Sequence, residues 1–147
     1  LEGGNLQPIQ ITEGLESTGL GTGAAVADID NDGVLELLIA HGESAPEPLS
    51  MYKAKITGKS RFVRIRPLNF NNAPARGATV VLNTNLRQHA KTIDSGSGYL
   101  CQMEPVAHFG LRKGEIVENI IVRWTNGEND TFRLGLMNKT YVFKQNP

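Results

Sequence analysis

Short apolar runs separated by turn residues recur along this chain. Ala24-Ala25-Val26-Ala27 leads into an acidic stretch, and Leu35-Glu36-Leu37-Leu38-Ile39-Ala40 leaves it. Brief apolar runs bounded by turn residues are the pattern of buried strands. Residues 8–14 alternate and predict one more short strand, residues 17–23 predict a loop, Ser44 to Pro48 a turn, and Leu49 to Ile56 a third strand after the acidic stretch. Strand, acidic turn, strand, turn, strand is the order of one blade of a propeller-like sheet.

From Arg61 the texture changes. Phe62, Ile65, Val80, Leu82, Ile121, Trp124, Tyr141 and Phe143 lie in short β-branched or aromatic runs between turn clusters, and are the candidate core. Asn126-Gly127, between Ile120–Trp124 and Thr131–Leu134, predicts a hairpin whose two turn residues both take positive φ. No window carries an apolar stripe of helical period over three turns. The expected class is all-β: about ten strands in two units, a terminal β-propeller-like blade over 1–60 and a small β-barrel or sandwich over 61–147.

Charge supports that division. Residues 1–60 hold nine acids against Lys53, Lys55 and Lys59, a net of −6, and residues 61–147 hold twelve basic residues against six acids, a net of +6. With 39% hydrophobic and 20% charged residues the 147-residue chain has a globular composition. No run approaches the roughly 18 apolar residues of a membrane-spanning helix. The chain opens Leu1-Glu2-Gly3, which reads as a mature product or an excised fragment. Cys101 is the only cysteine, which excludes an internal disulfide and a cysteine zinc site; beside Tyr99 and Leu100 it is expected in the core.

The chemistry is concentrated in Asp28-Ile-Asp30-Asn-Asp32-Gly-Val34-Leu-Glu36. Asp28, Asp30, Asp32 and Glu36 occupy positions 1, 3, 5 and 9, Val34 at position 7 offers a backbone carbonyl, and Gly33 permits the bend. Calcium is a hard cation that takes six to eight oxygens in irregular geometry, so this set predicts a Ca2+ site with metal ligands Asp28, Asp30, Asp32, Val34 and Glu36. Four crowded carboxylates repel one another unless a cation stands among them. An EF-hand is excluded, because position 12 is Ile39 and the flanks are strand-like. Magnesium, with its strict octahedron and retained waters, suits the set less well.

Other features point away from catalysis. Gly96-Ser97-Gly98 is preceded by Ser95, which breaks the nucleophile-elbow pattern, so a tight loop is expected. His41, His89 and His108 have no metal-like spacing; His108, between Ala107 and Phe109, is expected as a hydrogen-bonded core residue. No nucleophile–base pair can be assembled, and no enzyme is expected. Arg61, Arg64, Arg66, Arg76, Arg87, His89 and Lys91 give the second unit a basic character. This predicts either a solvated face complementing the acidic unit or a site for a sulfated glycan or acidic partner, through Arg61, Arg64, Arg66, Arg87 and Lys91 in particular. Nucleic acid is disfavoured because no aromatic-basic platform accompanies these residues. A carbohydrate-binding module with Trp124 or Tyr99 as platform is the alternative function. Asn129-Asp-Thr131 and Asn138-Lys-Thr140 match the N-glycosylation sequon.

Gly23-Ala-Ala-Val-Ala-Asp-Ile-Asp-Asn-Asp-Gly-Val-Leu-Glu-Leu-Leu-Ile-Ala40 resembles an FG-GAP (VCBS-type) repeat, the calcium-loop blade of integrin-like β-propellers. Glu36 stands where that repeat usually has Asp. Ala75-Arg-Gly-Ala-Thr-Val-Val-Leu82, Asp94-Ser-Gly-Ser-Gly-Tyr-Leu100, Glu104-Pro-Val-Ala-His-Phe-Gly-Leu111 and Ile121-Val-Arg-Trp-Thr-Asn-Gly127 together resemble the ASPIC/UnbV domain, and the run Gly98–Leu111 is similar to its animal members. The resemblance spans about residues 17–145. It implies a secreted, extracellular protein that binds calcium and recognises matrix or cell-surface partners, with further blades upstream.

Overall fold

The structure is a computed structural model, and it describes residues 21–42, 49–55 and 60–147. The strand expected over residues 8–14, the loop over 17–20 and the turn over 44–48 lie outside the described residues. Ten strands occur among them: β1 Gly21–Ala27, β2 Glu36–His41, β3 Ser50–Lys53, β4 Phe62–Leu68, β5 Thr79–Thr84, β6 Gln88–Thr92, β7 Ala107–Gly110, β8 Val117–Arg123, β9 Asn129–Phe132 and β10 Lys139–Lys144. The described residues contain no helix, and no helix is long and apolar enough to cross a membrane.

The strands form three sheets, in the orders β1-β2-β3, β10-β4-β7 and β6-β5-β8-β9. The first is an antiparallel meander, as short apolar runs close together in the chain produce. β4 is central in the second sheet, antiparallel to β7 and parallel to β10. β5 is central in the third, antiparallel to β6 and β8.

The second and third sheets share one core. Val63 and Ile65 of β4 and Ala107 and Phe109 of β7 meet Val80 and Leu82 of β5 and Ile120 and Val122 of β8, with Trp124 and Ile93 alongside. This is a sandwich, and the barrel alternative is corrected: the two sheets do not close on each other. Tyr141 and Phe143 pack at the margin of the core. Ile121 does not belong to it, because alternation along β8 buries Ile120 and Val122 and turns Ile121 to the other face.

The β8–β9 hairpin forms where Asn126-Gly127 places it, with a different turn. Only Gly127 takes positive φ (91°). Gly127 N–H donates to Trp124 C=O (3.1 Å) and Trp124 N–H donates to Glu128 C=O (2.9 Å), which makes a longer loop ending in a glycine bulge. Trp124 is buried, its Nε1–H donating to Asp130 Oδ2 (2.7 Å), so it is unavailable as a sugar-stacking platform. Tyr99 is exposed. Cys101 is free and half-buried and lies outside the core cluster, contrary to expectation, because its loop pairs with Gly98 at the surface.

Candidate metal centre

The acidic loop connects β1 to β2 and is shaped by its own side chains. Asp28 Oδ2 accepts Gly33 N–H (3.1 Å), Asp30 Oδ1 accepts Asp32 N–H (3.3 Å), Asp32 Oδ1 accepts Val34 N–H (2.8 Å), and Glu36 Oε2 accepts Ile29 N–H (2.8 Å). Such carboxylate-to-amide bonds are the local reason aspartate favours turns. Asn31 (φ 62°) and Gly33 (φ 86°) take left-handed conformations. At Gly33 a Cβ would also come within 2.0 Å of Phe62 Cδ1, so glycine is required by the bend and by the ring packed on the loop.

Three acids converge. Ligand oxygens of Asp28, Asp30 and Glu36 all lie within 4.8 Å of one another, the separation of oxygens that share one ion at about 2.3–2.6 Å. The Asp28 and Glu36 side chains are 0% and 3% exposed. Asp28 Oδ1 is buried without a hydrogen-bond partner, and a buried carboxylate oxygen left in that state is costly unless something positive meets it. Asp32 stands outside this trio; its carboxylate is spent on Val34 N–H and on Lys53. Val34 is buried. The donor set, hard oxygens around an orphaned buried carboxylate oxygen, fits a hard divalent cation.

Two cations that sequence reasoning missed complete the site. The β2–β3 register sets Lys53 directly opposite Glu36. Lys53 Nζ lies 2.5 Å from Asp30 Oδ2, 2.7 Å from Asp32 Oδ2 and 2.9 Å from Glu36 Oε1. The ammonium, followed by Val34 N–H, holds the Asp32 carboxyl below its ordinary range. Asp30, then Asp32 and Glu36, raise the Lys53 amine above its ordinary range. Arg64, buried on β4, is the second cation. Its Nη1 lies 3.5 Å from Asp28 Oδ2 and donates to Asn31 Oδ1 (2.7 Å), while its Nη2 pairs with Glu104. A charge count of the loop could have flagged Lys53 as the first basic residue after it; nothing local marks Arg64.

The basic residues of the second unit do not make one exposed face. Arg64 is buried against the loop. Arg61 donates to the carbonyls of Arg112 (2.7 Å) and Glu115 (2.9 Å). Arg87 Nε and His89 Nε2 lie 3.0 Å and 2.9 Å from Glu115 Oε1. Of the five residues expected to take a sulfated glycan, Arg61, Arg64 and Arg87 are therefore engaged within the fold, which leaves Arg66 and Lys91. Arg76 Nη1 donates to Asp94 C=O (3.0 Å).

The histidines do not gather. His41 Nε2 lies 3.0 Å from Ser50 Oγ, across β2 and β3. His108 stacks on Phe62 with centroids 5.8 Å apart, and burial pushes its imidazole below the ordinary range. Ser97 Oγ donates to Asp94 Oδ2 (2.9 Å) and accepts Met103 N–H (3.3 Å), holding a turn. Both sequon asparagines are exposed, and Asn138 Oδ1 accepts Phe62 N–H (3.0 Å).

Comparison with known proteins places this architecture. Residues 69–147 match the family model described as ASPIC and UnbV. The chain is 50% identical over 114 residues to cartilage acidic protein 1 of Xenopus tropicalis, which covers 77% of this chain and 18% of that protein. It is 46% identical over 117 residues to the human protein of the same name and 45% identical over 117 to that of Mus musculus, each match covering 79% of this chain. The chain thus spans about a fifth of the length of these relatives, 18% in each case. The matched residues include most of the two-sheet core, and the chain belongs to the ASPIC and UnbV family.

Proposed function

We propose that this chain is a calcium-binding interaction module of an extracellular protein: an FG-GAP-type blade whose loop holds a structural Ca2+, followed by the ASPIC/UnbV sandwich. Asp28, Asp30 and Glu36 would hold the ion, with Asp32 and the Val34 carbonyl as the remaining candidates from the loop. Bound there, calcium supplies positive charge that neutralises crowded carboxylates and ties the end of β1 to the start of β2. The observation that carries the reading is the buried, unpartnered Asp28 Oδ1 within a carboxylate trio of the right separation. The relatives' name, cartilage acidic protein, supports a matrix setting. A non-catalytic role in matrix or cell-surface recognition follows from a site built to bind rather than to transform.

The test is calorimetric titration of the metal-stripped 147-residue chain with calcium chloride, beside the variant Asp28→Asn plus Asp30→Asn. Saturable heat in the natural chain and none in the variant is expected. Equal heats in both, or no heat in either, would end the calcium reading.

A further inference from the structure

We infer that Lys53 is a built-in competitor of the metal: its ammonium occupies the centre of the acidic loop, and a divalent ion must displace it to bind. The inference rests on the calcium reading above and concerns how that same site is regulated.

The argument begins with register. β3 pairs antiparallel with β2 so that Lys53 faces Glu36, and directly opposed residues on neighbouring strands bring their side chains together. Among the described residues, the acids that Lys53 meets are those of the loop. Its Nζ sits 2.5–2.9 Å from oxygens of Asp30, Asp32 and Glu36. Two of these residues, Asp30 and Glu36, belong to the carboxylate trio. The ammonium and a calcium ion would therefore use the same oxygens at nearly the same distance. Two cations cannot share that space in a partly buried site, where their repulsion is screened less than in bulk water.

The same contacts leave Lys53 an incomplete substitute. One positive charge meets three carboxylates, while Asp28 Oδ1, deeper in the loop, still has no hydrogen-bond partner. A lysine ammonium is a compact donor on a flexible four-carbon stem, and this one is 36% exposed. β3 is an edge strand among the described residues, so the stem has a route by which to swing out to solvent. Lys53 thus holds the loop together when calcium is scarce and makes loading depend on enough calcium to displace it.

The experiment is calcium titration of the full 147-residue chain, stripped of metal, with Lys53→Met, Lys53→Gln and Lys53→Arg. Two neutral variants are used so that a failure of one to fold is covered by the other. Far-UV circular dichroism and a melting curve accompany each. At least a tenfold tightening of calcium binding is expected for Lys53→Met and Lys53→Gln, with Lys53→Arg close to the natural chain. The neutral variants should also melt at lower temperature without calcium and recover more on its addition. Binding by the neutral variants alone would overturn the inference, because calcium would then never displace Lys53 from the natural chain. Calcium binding of equal or lower affinity in the neutral variants would overturn the competitor while leaving the calcium reading intact. Absence of binding in every protein would overturn both.

Discussion

Val63, Ile65, Val80, Leu82, Ile120 and Val122 are sealed between two sheets, whereas no apolar residue of β1, β2 or β3 is buried. The two regions are both antiparallel-rich β, yet they are held by different physics. The sandwich carries its own hydrophobic core, which scales with apolar area removed from water. The three-stranded sheet is anchored at its loop by polar and steric contacts made to the sandwich: Arg64 to Asp28 and Asn31, and Phe62 on Gly33. The difference teaches that charge can fix a small sheet in place where a core does not.

The widest way to break that comparison is to cut an equal volume from each region. Leu82 is fully buried, and Leu82→Ala is expected to cost about 3–4 kcal/mol, transfer and cavity together. Leu38 on β2 is half-buried, and Leu38→Ala should cost about 1 kcal/mol. Urea unfolding followed by fluorescence reports on the sandwich, because Trp124 is the single tryptophan and lies in its core. Equal shifts of the midpoint would show that the two regions share one core after all.

Arg64→Met tests the polar anchor. Removing one partner from a buried ion pair costs about 3 kcal/mol, because the other charge stays buried. Here the Arg64 and Asp28 side chains are 4% and 0% exposed. Amide exchange in β1 and β2 should accelerate about 100-fold, with a smaller change in β5 and β8. A uniform change across all strands would mean that Arg64 stabilises the sandwich and not the docking of the loop.

What the sequence discloses of this molecule is what lies close together along the chain. The carboxylates converge because they sit within one nine-residue turn, and their spacing names all four acids without telling Asp32, which turns to Lys53 and Val34 N–H, from the trio Asp28, Asp30 and Glu36. The Asn126-Gly127 hairpin is equally local. Lys53 and Arg64 are different, since strand register brings the first to the loop and docking of one sheet on another brings the second. Arg64 reads as a solvated strand residue until the loop is laid over it. Ile120-Ile121-Val122 shows the same limit on a smaller scale: a continuous apolar run does not reveal which alternate residues face the core. The parallel pairing of β10 with β4 joins residues at opposite ends of the sandwich, and no turn signal announces it.

Charge also works inside the sandwich, and acid measures how much. The fully buried Glu115 carboxylate accepts Arg87 Nε–H and Nη2–H, Thr84 Oγ1–H and Arg112 N–H, with His89 Nε2 at 2.9 Å. The Arg87 guanidinium first, and these other partners with it, hold Glu115 far below the ordinary carboxylate range. Because its folded pKa is depressed, its contribution is complete above the unfolded value near pH 4.3 and is lost as pH falls below it. About 2 kcal/mol should be gone by pH 3, since the unfolded chain takes up a proton that the folded one refuses. Glu115→Gln removes the charge and flattens that slope. The stability gap between the natural chain and the variant, by urea unfolding at pH 5, 4 and 3, should therefore close by about 2 kcal/mol. A gap that stays constant would show that hydrogen bonding, which glutamine partly keeps, holds this node without help from its charge. The sandwich would then be the region whose stability does not rest on this buried charge, and its contrast with the carboxylate loop would widen.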